Sequence, residues 1–148
     1  LIDADSTPVL DGNRIYTVNF QGNLSVFDSA QRRAVWESKE SSFYEPFILR
    51  GVLGIISADS KISTYSSRTF EDSWKQEEYA LRELSNPETF KGHILVGDLE
   101  GYIHALDPLT GITVARKKIS RNKIITLVSR SDSFYAIDEK MKLFSLSF

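Results

Sequence analysis

Gly101-Tyr102-Ile103-His104-Ala105-Leu106-Asp107-Pro108-Leu109-Thr110-Gly111 decides how the chain reads. Tyr102 to Leu106 has the length and composition of a short strand, and Pro108 and Gly111 favour a tight turn directly after it. Looser copies lie at Gly22-Asn23-Leu24-Ser25-Val26-Phe27-Asp28, Lys61-Ile62-Ser63-Thr64-Tyr65 and Lys142-Leu143-Phe144-Ser145-Leu146. Aligned on Leu24, Ile62, Ile103 and Leu143, the copies recur about every 40 residues, a period that marks a repeat architecture. The alternation in Leu24-Ser25-Val26 and Ile103-His104-Ala105 excludes helical solenoids of similar period.

Four short strands fit each repeat. The first predicts strands at 7–10, 14–19, 23–28 and 34–38, with Asp11-Gly12-Asn13 as a hairpin turn. The second predicts 47–50, 52–57, 62–66 and 73–77, and the third 88–90, 93–97, 102–107 and 113–118. The fourth supplies only 125–128, 133–137 and 143–147 before the sequence stops. Pro8, Pro46 and Pro87 precede or open the first strands, where a missing N–H costs little. Trp36 follows Leu24 at the same spacing as Trp74 follows Ile62, which predicts two rings packing between neighbouring repeats; Ala115 holds the third such position. Glu77-Glu78-Tyr79-Ala80-Leu81-Arg82-Glu83-Leu84 reads as the one helical segment.

Such units predict an all-β chain: a β-propeller fragment of about four four-stranded blades, the last lacking its outer strand. The blades are expected at approximately 7–38, 46–77, 87–118 and 124–148, within one partial domain spanning 1–148. The missing strand is expected from an N-terminal portion of a longer parent, with Phe148 as the natural C-terminus.

Composition narrows the function classes. The 148 residues are 41% hydrophobic and 26% charged, which suits a packed core. A net charge of −2 gives no basic field for nucleic acid. With no cysteine, disulfides and thiol chemistry are excluded. His93 and His104 fall on different strands without the spacing of a metal site, and are read as structural or surface groups. Asp98 and Glu100 are read as turn residues ahead of Gly101. Arg32-Arg33 and Lys117-Lys118 are read as solvated pairs. No phosphate loop, nucleophile triad or metalloprotease motif is present, and no cofactor is expected.

The unit G-x-[LI]-x-[AV]-[LF]-D followed by tryptophan resembles the repeat of quinoprotein-type propellers. The chain more closely resembles the C-terminal part of the BamB family, propeller lipoproteins of the bacterial outer-membrane β-barrel assembly machinery. The residues that carry this are Asp3-Ala4-Asp5-Ser6-Thr7-Pro8-Val9, Asp11-Gly12-Asn13-Arg14-Ile15-Tyr16, Gly22-Asn23-Leu24 and Leu95-Val96-Gly97-Asp98-Leu99-Glu100-Gly101-Tyr102. The long segment 76–92, with Arg82 and Pro87, also fits. The second repeat departs: Ser60-Lys61 and Ser66-Ser67-Arg68 replace the usual turn residues.

The resemblance implies an eight-bladed parent held at the periplasmic face of the outer membrane by a lipid anchor outside this sequence. It implies a non-catalytic scaffold that docks on the POTRA domains of BamA and belongs to the β-barrel assembly complex, with unfolded outer-membrane proteins as further candidate partners. It associates the D-x-D pair, here Asp3 and Asp5, with docking. A quinone-dependent dehydrogenase and a generic ligand-binding propeller are the alternatives.

The loops add an asymmetry. Loops between blades and turns between second and third strands are assigned to one rim. That rim (1–6, 20–22, 39–45, 58–61, 77–86, 98–101, 119–124 and 138–142) carries 12 acidic and 7 basic residues. The opposite rim carries 6 of each. An acidic rim suits a partner that presents Arg or Lys, and favours encounter and orientation.

Overall fold

The computed structural model of the chain describes residues 6–19 and 22–147. Among these residues there are fifteen strands and no helix. The first sheet holds β1 (Val9–Asp11), β2 (Arg14–Val18), β3 (Leu24–Asp28) and β4 (Arg33–Ser38). The second holds β5 (Phe47–Leu49), β6 (Val52–Ile56), β7 (Ile62–Ser66) and β8 (Asp72–Gln76). The third holds β9 (Glu88–Phe90), β10 (His93–Gly97), β11 (Tyr102–Leu106) and β12 (Thr113–Lys118). The last has three strands: β13 (Ile124–Arg130), β14 (Ser133–Asp138) and β15 (Leu143–Leu146). Every sheet is an antiparallel meander in chain order, so the molecule is four propeller blades, the last with three strands. The strands fall within two residues of the sequence expectation.

Three apolar cores lie between consecutive blades. Val18, Leu24 and Val26 meet Leu53, Ile55 and Tyr65; Val52, Ile56 and Ile62 meet Ile94, Val96 and Leu106; Leu95 and Ile103 meet Ile124, Leu127 and Phe134. Strand β6 is buried at every position because a neighbouring blade covers each face, whereas β12 is exposed from Val114 to Lys118. This explains why β6 reads as an unbroken apolar run, Val52-Leu53-Gly54-Ile55-Ile56, without polar alternation.

Two turn positions recur with the same chemistry. At the end of the third strand, Asp28 Oδ1 accepts from the N–H groups of Ala30 and Gln31, and Asp107 Oδ1 from those of Leu109 and Thr110. In the second blade Ser66 Oγ takes over, accepting from Arg68 and Thr69. After the second strand, Asp98 Oδ1 accepts from Tyr102 N–H and Asp138 Oδ1 from Lys142 N–H, and Ser57 Oγ accepts from Lys61 N–H. The departures in the second repeat therefore keep the turns, because a hydroxyl caps the same backbone donors as a carboxylate.

The tryptophans pack between blades, as their spacing predicts. Trp36 on β4 stacks on Phe70 of the second blade (centroids 5.1 Å, 11° between planes) and meets Tyr65 edge-on at 4.9 Å. Trp74 on β8 donates from Nε1 to Pro108 O at 2.8 Å, and its ring lies over Gly111. A Cβ on Gly111 would sit 2.4 Å from Trp74 Cε3, and φ there is +73°, so only glycine fits. Ala115, in the third blade, is exposed.

The helical expectation for 77–84 is wrong. The segment is a run of turns: Ala80 N–H donates to Glu77 O and Arg82 N–H to Tyr79 O, both across a single tight turn. Leu81 at φ +63° and Glu83 at φ +49° leave the right-handed region and stop any helix. These turns instead send Tyr79 and Leu84 into the core between the second and third blades.

Candidate functional site: the loop-bearing rim

Asp3 and Asp5 lie outside the described residues. The chain that follows them is anchored where it enters the fold: Ser6, buried, donates from Oγ to Val18 O at 2.9 Å. Ser42 makes the same bond to Ile56 O ahead of the second blade, and Ser85 N–H bonds Gly97 O ahead of the third. Each of these entry segments is thus tied to the end of its own blade's second strand.

The inter-blade loops and the second-to-third-strand turns do share one rim. Leu81 N–H donates to Asp59 O, Leu84 N–H to Ser60 Oγ, Leu99 N–H to Arg82 O and Glu139 N–H to Lys123 O. Ile119 and Ser120 both donate to Gly101 O, and Ile124 to Asp98 O. These bonds make a hydrogen-bonded band along the rim from the second blade to the fourth.

A buried ionic cluster sits at the junction of the second and third blades. Asp98 is fully buried and accepts from Arg82 Nε at 3.1 Å, Arg82 Nη2 at 2.9 Å and His104 Nε2 at 2.8 Å. Its other oxygen takes the N–H groups of Glu100 and Tyr102. Burial alone would push this carboxyl up; donation from His104, Tyr102 N–H and Arg82 outweighs it and holds the group at about 2. Arg82 also reaches Glu100 at 2.9 Å. Tyr79 packs on the His104 ring at 4.8 Å and its hydroxyl bonds Thr113 Oγ1. The cluster clamps the inter-blade loop to the third blade.

Sequence reasoning placed Asp98 in a turn, which the structure bears out, and read His104 as a structural or surface group; its burial leaves the structural reading. It missed that the two meet. The signal was register: Val96 pairs with His104 across β10 and β11, so Asp98, two residues on, shares a face with that histidine. His93 stays exposed, its Nδ1 against Lys91 O.

The counted charge of the rim is partly turned inward. Asp98 and Asp138 are both buried. The Asp138 carboxyl is held below its ordinary value, first by Ser120 Oγ at 2.6 Å and also by Asn122 and two backbone N–H groups. Lys61 pairs with Asp59 and Glu77, and Lys123 with Glu83. Among the described rim residues, Glu40, Glu45, Glu78 and Glu139 form no ion pair, and neither do Lys39, Arg121, Lys140 and Lys142, so the unpaired charges there balance.

Among the described residues no three His, Asp or Glu side chains converge to hold a metal ion. A groove of about 280 Å³ runs along the first strands, lined by Val9, Leu10, Glu45, Phe47, Pro87 and Glu88. Burial raises the Glu88 carboxyl there, partly offset by donation from Ser129 Oγ. No helix among the described residues is long and apolar enough to cross a membrane.

Three comparisons bear on this geometry. The family model described as outer membrane protein assembly factor BamB matches residues 1–76. The outer membrane protein assembly factor BamB of Shewanella oneidensis is 32% identical over 126 residues, 85% of this chain and 32% of that protein. Its namesake from Marinobacter adhaerens is 31% identical over 118 residues, 80% of this chain and 30% of that protein. The crystal structure of BamB from Moraxella catarrhalis superposes with a TM-score of 0.91 at 25% identity, over 99% of this chain and 45% of that one. The chain therefore spans about a third of the length of the curated relatives it matches.

Proposed function

From the premise that this chain belongs to the BamB family of outer membrane protein assembly factors, we propose that it is part of a non-catalytic scaffold. In this reading the parent sits at the periplasmic face of the outer membrane, held by a lipid anchor outside this sequence. It docks on the POTRA domains of BamA within the β-barrel assembly complex and aids barrel insertion. The stretch carrying Asp3 and Asp5 is the docking element. Its spacing of two lets both carboxylates point one way on an extended segment, where a partner guanidinium engages them.

The observation that carries the reading is the family match over residues 1–76, which contains the D-x-D-x-T-P stretch. The rim adds support: loops pinned by Ser6, Ser42 and the Arg82–Asp98 cluster give a partner a surface that needs little ordering on binding.

The test is calorimetry of the full-length parent with isolated POTRA domains at two salt concentrations. Asp3→Arg with Asp5→Arg is expected to weaken binding by about 2–5 kcal/mol, because each reversed charge faces a partner cation. A thermal melt should stay unchanged, since reversing charges on a docking surface touches no core contact. Unchanged affinity beside an unchanged melt removes the pair from the interface.

A further inference from the structure

Consecutive blades pack by one rule: one face of a blade meets the opposite face of the next. Two such faces have no neighbour among the described residues. Tyr16 and Val18 point at the second blade, so Ile15 between them points away from it. Register places Leu10 and Phe27 beside Ile15 on that free face, 72% and 37% exposed. At the other end, Phe134 and Ala136 point at the third blade, so Tyr135 and Ile137 point away. Val128, 45% exposed, pairs with Tyr135, and Leu143, 62% exposed, pairs with Ile137.

These two faces are the two halves of one contact. The free face of the first blade is the one that each later blade turns to its predecessor. The free face of the fourth is the one that each earlier blade turns to its successor. Each has the handedness to receive the other. Both are exposed, so they do not meet within one chain. The four blades superpose on 45% of the BamB chain from Moraxella catarrhalis, so a second unit of this size fits the remainder of that molecule.

We propose that two copies of this chain pair head to tail, the first blade of each packing on the fourth blade of the other, and close one ring. Leu10, Ile15 and Phe27 would meet Val128, Tyr135, Ile137 and Leu143, continuing the pattern of the three cores inside the chain. A second copy supplies both missing faces at once, and a head-to-tail contact that closes gives a ring where an open one gives a filament. The inference goes beyond the docking reading and does not rest on it. It concerns the chain by itself, whose end faces the remaining blades of a longer parent would otherwise cover.

The experiment is sedimentation velocity of the 148-residue chain over a wide concentration range, with circular dichroism to follow the fold. The unmodified chain is expected at twice its 16.8 kDa. Leu10→Arg with Phe27→Arg alters the first-blade face, and Val128→Arg with Leu143→Arg the fourth-blade face. All four positions are exposed, so strand content should hold, and each double variant should pair at least a hundredfold more weakly. A mixture of the two has one intact contact per pair and should associate at least tenfold more tightly than either variant alone. Leu109→Arg, on an exposed turn outside both faces, should pair like the unmodified chain. A monomer at every concentration overturns the proposal and leaves the faces to the parent's remaining blades. Growth beyond two copies overturns ring closure. Dimers indifferent to both double variants place the contact elsewhere, such as the free edge of β15, and a mixture no tighter than its components rules out head-to-tail pairing; either result overturns the proposal.

Discussion

Replacing Asp98 by asparagine should destabilise the chain in a pH-dependent way. The carboxyl titrates at about 2 in the fold against an ordinary 3.8, and it is fully buried, so solvent screens its partners little. That difference stabilises the fold by about 2 kcal/mol whenever the group is ionised. Because the folded value is the lower one, this stabilisation is present above about pH 4 and is lost as pH falls towards 2. Asparagine keeps an oxygen for the N–H groups of Glu100 and Tyr102, but its NH2 would face the donors of Arg82 and His104. That conflict adds about 1–3 kcal/mol at any pH. The expected loss at pH 7 is therefore about 3–5 kcal/mol, as for breaking a buried ion pair. Urea unfolding followed by the emission of Trp36 and Trp74 at pH 7, 5, 3 and 2 measures it. Other carboxylates are common to both proteins and cancel in the difference. The gap between parent and variant should hold from pH 7 to 5 and then shrink as pH falls to 2, by about 2 kcal/mol in all. A gap that stays flat down to pH 2 would refute the assignment of the low carboxyl to this cluster.

Trp36→Ala should cost about 3 kcal/mol, the lower end of the range for aromatic truncations because the ring is only half-buried; a variant that melts with the parent would show that the stack on Phe70 carries no stability. The outer edge of β15 has no strand beside it among the described residues, so the chain studied alone should self-associate with rising concentration. Light scattering tests this, and a monodisperse monomer at high concentration would count against it.

Much of the fold was legible because its determinants are local. Turn residues such as Asp28 and Asp107 cap donors within three positions, so their return at a regular interval announces the blades. The inter-blade loop was misread because Glu77 to Leu84 is made of residues that favour helix and contains no glycine or proline. The backbone there is decided by distant partners: Asp59 O holds Leu81 N–H and Ser60 Oγ holds Leu84 N–H. The candidate site was legible only in part. Charge could be counted along the rim, but whether a carboxylate faces a partner or the interior depends on register, and register placed Asp98 against His104 and Arg82.

The two tryptophans hold equivalent positions in successive blades. Each tryptophan packs against the turn between the third and fourth strands of the following blade. Trp36 meets that turn at Phe70 and Trp74 meets it at Gly111, equivalent positions in successive blades with φ of +62° and +73°. Phe70 is thus a left-handed residue kept for its ring, which Arg14 also covers at 4.8 Å, whereas Gly111 is kept for its lack of a side chain. Ala115 occupies the tryptophan position on β12, and the blade that follows has three strands, with no turn described beyond β15. Among the described residues, no third turn packs against β12 at Ala115.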